Sequence, residues 1–173
     1  MRRQPRSKTT LRFLLQDVED PVNVGAAFRI ADACKVESML LTGISAQPPH
    51  KLIGKVGRGK DKRVAWRYEE DTVAAIRSTK AAGFRVYAVE ITDDAVPYCD
   101  VAFAEKACLI VGHEDHGVTK KALAEVDEKI FIPMYGKGAS LNVHVALAVI
   151  AFGALHHDRG SDRSGRADVT SGD

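Results

Sequence analysis

Between residues 10 and 157, short apolar runs alternate with stretches in which apolar residues recur at helical spacing, and this alternation is what most restricts the fold. Phe13-Leu14-Leu15 lies in a first strand and Ser38-Met39-Leu40-Leu41 in a second. The segment 23–35 between them sets Val24, Ala27, Phe28 and Ala31 on one face, which predicts a crossover helix with Asn23 as its cap. Residues 45–63, with Pro48-Pro49 and three glycines, read as a long polar connection. Residues 72–82 predict a helix with Val73, Ala75 and Ile76 inward, ended by Gly83. Residues 84–91, 107–111 and 129–133 are strand-like. Residues 140–155, apolar on nearly all sides, predict a buried helix. Strands separated by helices imply an α/β domain, a mostly parallel sheet flanked by helices.

A chain of 173 residues, 45% hydrophobic and 28% charged, is of ordinary globular composition and one-domain length. At that length folding buries roughly 70% of the unfolded surface, so no disulfide or metal staple is required. Cys34, Cys99 and Cys108 are odd in number and widely spaced, which fits reduced thiols and a cytoplasmic protein. The longest apolar run, around residues 145–152, is far short of the roughly 20 residues that span a bilayer. No apolar signal core follows the N-terminal Met1-Arg2-Arg3-Gln4-Pro5-Arg6. Residues 1–9 are expected to form a basic arm, 10–157 the folded domain, and 158–173 a polar, disordered tail.

The net charge of +2 conceals a segregation. Residues 1–12 carry +5 and residues 51–67 carry +6, leaving −9 on the rest. Two basic blocks on an acidic body point to a polyanionic partner.

Two familiar signatures fail on inspection. Residues 54–60 match the start of a phosphate-binding P-loop, but its eighth position, which needs Ser or Thr for magnesium, is Asp61. His113-Glu114-Asp115-His116 spaces its histidines three apart where a zinc-protease helix needs four, and Gly112 and Gly117 bracket it, so a turn is expected and no metal.

Three other segments adjoin predicted strand ends, where ligands of α/β sheets collect. In the first, Asn23-Val24-Gly25-Ala26-Ala27-Phe28-Arg29, Gly25 permits another backbone to approach and Arg29 is a charge within an apolar pattern. The second runs from the apolar strand 109–111 into Gly112-His113-Glu114-Asp115-His116-Gly117. The third is Ile132-Pro133-Met134-Tyr135-Gly136-Lys137-Gly138-Ala139-Ser140-Leu141-Asn142-Val143, with Ser140 as a helix cap. Asn142 opens an apolar helix, so either a neighbouring segment or a ligand must satisfy its side chain.

Taken in order, these segments resemble the three motifs of the SpoU (TrmH-like) branch of the SPOUT RNA methyltransferases: Asn-x-Gly-x-x-x-Arg, Gly-x-Glu-x-x-Gly, and a Pro-containing loop ending in Ser-Leu-Asn-Val. The resemblance covers residues 10–157; His113 stands where many members carry asparagine. It implies a SPOUT-type fold with a C-terminal trefoil knot, a rare exception to the rule against knots. S-adenosylmethionine would be the cofactor, held by Val89, Gly112, Ile132, Met134 and Leu141. The resemblance further implies a homodimer and methyl transfer to a ribose 2′-hydroxyl of RNA. Arg29 would act at the partner's cofactor, oriented together with the ribose by Glu114 and Asn142, while Asn23 and Ser140 complete the pocket. Using Arg29 as a general base would require its pKa to fall from about 12.5–13.8 to 7, at a cost upwards of about 7 kcal/mol. Clamping a phosphate and stabilising the developing alkoxide is the less demanding role. A compact core without a separate N-terminal RNA-binding domain favours tRNA over ribosomal RNA as substrate; a non-catalytic RNA-binding protein on the same fold is the third reading.

Overall fold

The computed structural model describes residues 7–138 and 140–157; residues 1–6 of the expected arm, Ala139 of the third motif and the expected tail 158–173 lie outside the described residues. The elements are β1 (Thr10–Gln16), α1 (Pro21–Cys34), β2 (Ser38–Thr42), α2 (Lys51–Gly57), β3 (Trp66–Glu69), α3 (Thr72–Ala81), β4 (Arg85–Val89), β5 (Val96–Pro97), β6 (Lys106–Val111), α4 (Lys120–Leu123), β7 (Glu128–Phe131) and α5 (Val143–His157). The strands form one parallel sheet in the order β3-β2-β1-β6-β4-β7-β5.

The central strands are covered on both faces, which is why they read as unbroken apolar runs. Alternate side chains enter different cores. Phe13, Leu15, Leu109 and Val111 pack with Val24 and Phe28 of α1, Ile53 of α2 and Leu147 and Ile150 of α5. Leu14, Cys108 and Ile110 face the other way, against Ala75 and Ile76 of α3 and Ala122 of α4. Burial pushes the Cys34 and Cys108 thiols up to about 11 and about 12, so both stay protonated and unreactive. Among the described residues no helix is long and apolar enough to cross a membrane.

The strand order reverses direction at β1: the chain moves outward through β2 to β3, then returns to place β6 on the other side of β1. Register aligns Leu15 with Val111 and Val89 with Ile130, so the carboxyl ends of β1, β6, β4 and β7 share one edge of the sheet. A crevice at such a reversal is where α/β folds bind ligands.

Several expectations need correction. Helix α1 starts at Pro21, and Asp20 is its cap, accepting from Val22 N–H (2.8 Å); Asn23 lies inside the first turn. Helix α5 starts at Val143, and its cap is Asn142, whose Oδ1 accepts from His144 N–H (3.2 Å), so Ser140 is not the cap. Nor is α5 buried all round: Leu147, Ile150, Ala151 and Ala154 are covered, whereas Val145 and Phe152 are 38% and 42% exposed. It forms an outer layer, and the described chain has nothing to place on its second face. The connection 45–63 contains α2, whose sequence Lys-Leu-Ile-Gly-Lys-Val-Gly has two glycines and weak helical propensity. Tertiary contact rescues it. Gly57 meets Gly25 of α1 backbone to backbone, and a Cβ on Gly25 would lie 3.0 Å from Ile53 O and Val56 Cβ. The edge strands β3 and β5 and the one-turn helix α4 carry too little apolar pattern to be read from sequence.

This packing predicts opposite outcomes for two glycines on one helix pair. Gly25→Leu should destabilise the protein by about 1–3 kcal/mol through overpacking. Gly54, around which a Cβ would meet nothing within 4 Å, should tolerate Ala and gain up to about 1 kcal/mol. Urea midpoints at unchanged m-value report both.

Candidate active site

The three segments singled out in the sequence converge above the β1, β6, β4 and β7 ends. The second forms a closed turn: His113 N–H donates to Gly117 O (3.1 Å) and Gly117 N–H to His113 O (2.8 Å). Its glycines are sterically required. A Cβ on Gly112 would come 2.1 Å from the Gly117 carbonyl carbon, and Gly117 adopts φ +66°. The expected turn is therefore what residues 112–117 form. His113 staples it. Asp115 N–H donates to His113 Nδ1 (3.0 Å), so the ring proton sits on Nε2 and reaches Glu19 Oε1 (3.1 Å) in the loop before α1. The His116 ring stacks on it at 4.6 Å.

Glu114 Oε1 accepts from Asn23 Nδ2 (2.9 Å) and from Asp20 N–H (3.2 Å). Burial, the largest single influence, pushes the Glu114 pKa up; the hydrogen bonds from Asn23 and from nearby backbone N–H groups together outweigh it and hold the carboxyl below its ordinary value. Asn23 is only 4% exposed, and its other end is also occupied: with the amide nitrogen committed to Glu114, Oδ1 accepts from His144 Nδ1 (2.8 Å). That contact puts the His144 proton on Nδ1. Burial keeps the His144 pKa low, against the opposing charge of Asp20. A chain Glu114–Asn23–His144 thus joins the first two segments to the first turn of α5.

Beside this chain opens a cleft of about 320 Å³, within the usual range for small-ligand sites. Val89, Gly112, Ile132, Met134 and Leu141 all line it, as do Glu114 and Ser140. Its walls combine apolar side chains with Glu90, Glu114, Asp115, His113 and His116, and among the described residues no lysine or arginine lines it. Such a donor set fits a nucleoside with an apolar base face and a cationic sulfonium, so the residues present suit S-adenosylmethionine. Asn142 is exposed; its Oδ1 accepts from its own helix rather than from a neighbouring segment, and among the described residues it makes no hydrogen bond to Arg29 or Glu114.

Arg29 is elsewhere. At 100° per residue it lies about 120° around α1 from Asn23 and one turn beyond Gly25, on the side that carries α2. It is exposed, lines no part of the cleft, and its side chain makes no hydrogen bond or ion pair among the described residues. Two participants escaped the sequence reading. Glu90 immediately follows Val89, and a carboxylate at a strand's carboxyl end was the available signal. His144 gave none, since a lone histidine in an apolar helix shows no partner.

A model of the SpoU rRNA Methylase family matches residues 10–152. The chain is 37% identical over 153 residues to a tRNA (guanosine(18)-2′-O)-methyltransferase from Thermus thermophilus, a match covering 88% of this chain and 76% of that protein. It is 30% identical over 140 residues to a 23S rRNA (guanosine(2553)-2′-O)-methyltransferase from Bacillus subtilis, covering 81% of this chain and 56% of its relative. The AdoMet-bound rRNA methyltransferase from Sinorhizobium meliloti superposes with a TM-score of 0.79 at 27% identity, over 88% of this chain and 58% of that one.

The chain through Asn23 has a titration consequence. A carboxyl depressed in the folded state adds stability that is present above its unfolded pKa and is lost as pH falls through the lower folded value. In Asn23→Ala the upward push of burial persists and the amide bond is gone. Carbon-detected NMR should show Glu114 titrating at higher pH than in the wild type, with acid unfolding setting in earlier. An unmoved Glu114 curve would contradict the assignment.

Proposed function

This chain belongs to the SpoU rRNA Methylase family, and on that premise we propose that it transfers methyl from S-adenosylmethionine to a ribose 2′-hydroxyl of RNA, with tRNA the favoured substrate. The observation that carries this reading is the convergence of Asn23 and Glu114 beside a cleft lined by Gly112, Ile132, Met134 and Leu141. The 37% identity to a tRNA enzyme supports tRNA; the 30% identity to a 23S rRNA enzyme makes ribosomal RNA the second reading. Methylation assays with tritiated cofactor on tRNA and on ribosomal RNA separate the two. Incorporation into neither would leave the non-catalytic alternative.

When bound, the cofactor supplies an electrophilic methyl group on a positively charged sulfonium. The residues that would hold it are Val89, Gly112, Ile132, Met134 and Leu141, in a cleft whose carboxylates complement that charge. The work of this chain is to position and activate the ribose hydroxyl. Glu114, kept ionised by Asn23, fixes the rim of the cleft. Ser140, which lines the cleft, would complete the pocket, and Asn142, with Oδ1 committed to α5, would offer its amide N–H groups to the ribose. Arg29 clamps the neighbouring phosphate and stabilises the developing alkoxide, which needs no deprotonated guanidinium.

Because Arg29 points away from its own cleft, this reading requires a second copy of the chain to bring it to the reacting atoms. The uncovered apolar face of α5, with Val145 and Phe152, supports a homodimer. A trefoil knot in residues beyond β4 is part of the same reading. Its supports are the insertion of β7 between β4 and β5 and the seating of Gly153 of α5 under the Tyr98 ring, where a Cβ would come 2.7 Å from Cε2. The domain so defined is residues 10–157, acting in the cytoplasm without a metal.

RNA would lie along α2. Lys60 and Arg63 contact Asp32 (3.0 and 3.7 Å) and Arg67 contacts Glu69 (3.8 Å), whereas Lys51, Lys55, Arg58 and Lys62 are exposed and make no ion pair among the described residues. Four phosphate contacts predict a log–log salt slope for RNA binding of roughly −3 to −4. Lys55→Ala should reduce that slope by about one unit, as read by fluorescence anisotropy across a salt series. In single-turnover assays Arg29→Ala and Arg29→Lys should slow methyl transfer by about 10²–10³-fold. Wild-type rates in either would remove Arg29 from the chemistry.

A further inference from the structure

Glu90 directly follows β4, and its N–H donates to Ile130 O (3.0 Å), which fixes it to the sheet edge from which the cleft rises. The carboxylate lines the cleft alongside Gly112, Ile132 and Leu141. Two backbone donors hold it: Val118 N–H to Oε2 (2.8 Å) and Ile91 N–H to Oε1 (3.1 Å). It rests on Gly117, where a Cβ would come 2.0 Å from Oε2, so the last glycine of the second motif makes room for this carboxylate. Beyond adding negative charge to the cleft, the carboxylate has no part in positioning or activating the ribose hydroxyl that accepts the methyl group.

A carboxylate offers about four acceptor positions over its two oxygens. One fixed donor on each oxygen leaves about one further position on each. A pair of acceptor oxygens on one carboxyl carbon suits two hydroxyl donors on adjacent carbons, which is the pattern of a vicinal diol. A carboxylate after a strand's carboxyl end takes ribose hydroxyls in parallel-sheet nucleotide sites by the same logic.

We infer that Glu90 is a cofactor-binding residue whose carboxylate accepts the 2′- and 3′-hydroxyls of the cofactor's ribose. The inference rests on the reading of the cleft as an S-adenosylmethionine site. It also gives Gly117 a second duty, shaping the site as well as closing the turn.

Titration calorimetry with S-adenosylhomocysteine and its 2′-deoxy and 3′-deoxy counterparts tests it without any turnover. The wild-type protein should bind the parent compound about tenfold or more tighter than either deoxy compound, the usual weight of a hydrogen bond to a charged acceptor. Glu90→Ala should weaken the parent about tenfold and bring all three ligands within about twofold of one another. Glu90→Gln retains an oxygen for Val118 N–H and guards against misfolding; it should show an intermediate loss and reduced discrimination. If either folded variant discriminates as the wild type does, or weakens all three ligands equally, Glu90 does not hold the diol. A loss tied instead to the ligand's amino group would reassign the carboxylate to the ammonium and equally overturn the inference. Absence of any binding by the wild type would overturn the cofactor reading itself, a distinct result.

Discussion

The carboxamide of Asn23 is the contact on which the site depends. It is buried, and a buried amide must satisfy both its ends. Here one end donates to Glu114 and the other accepts from His144, so a single side chain holds together segments that are 91 and 121 residues away along the chain. The contact also settles two protonation states. The donor to Glu114 favours its ionised form, and the acceptor facing His144 selects the Nδ1–H tautomer.

Helix α1 distributes the three residues of the first motif by its pitch. Asn23 faces the turn 112–117, Gly25 faces α2, and Arg29 follows Gly25 one turn on, toward the same side but exposed. One helical repeat thereby separates an acidic cleft from a cationic outer surface. Their separation lets a cationic cofactor and a polyanionic substrate be received on different walls without competing for the same charges.

Much of this was legible in the sequence. Phe13-Leu14-Leu15 and residues 107–111 read as strands from their unbroken apolar runs, which both-face burial explains, and Gly83 reads as a helix terminator, a role its φ of +87° suits. All five cofactor candidates named from the sequence line one cleft. The misreadings share a cause. Asn23 and Ser140 were given capping roles from local pattern, whereas Asp20 and Asn142 cap. Asn23 is polar for a distant carboxylate, and only the folded chain shows that. Helix α2 was read as a loop because its stability comes from a glycine contact with α1 rather than from its own residues. Residues 140–155 read as a buried helix because hydropathy records what a surface could bury, not whether this chain supplies the cover.

By itself the sequence determined the α/β class of the fold and the motif residues by which the chain resembles its family. These follow from periodicity and residue chemistry, which act over a few residues at a time. The tertiary structure decided the strand order, the pairing of Gly25 with Gly57, the Glu114–Asn23–His144 chain, the placing of Arg29 outside its own cleft and the entry of Glu90 into it. Each is a meeting of residues far apart in the chain, and local propensity carries no information about which distant partner satisfies a buried polar group or fills the space above a glycine.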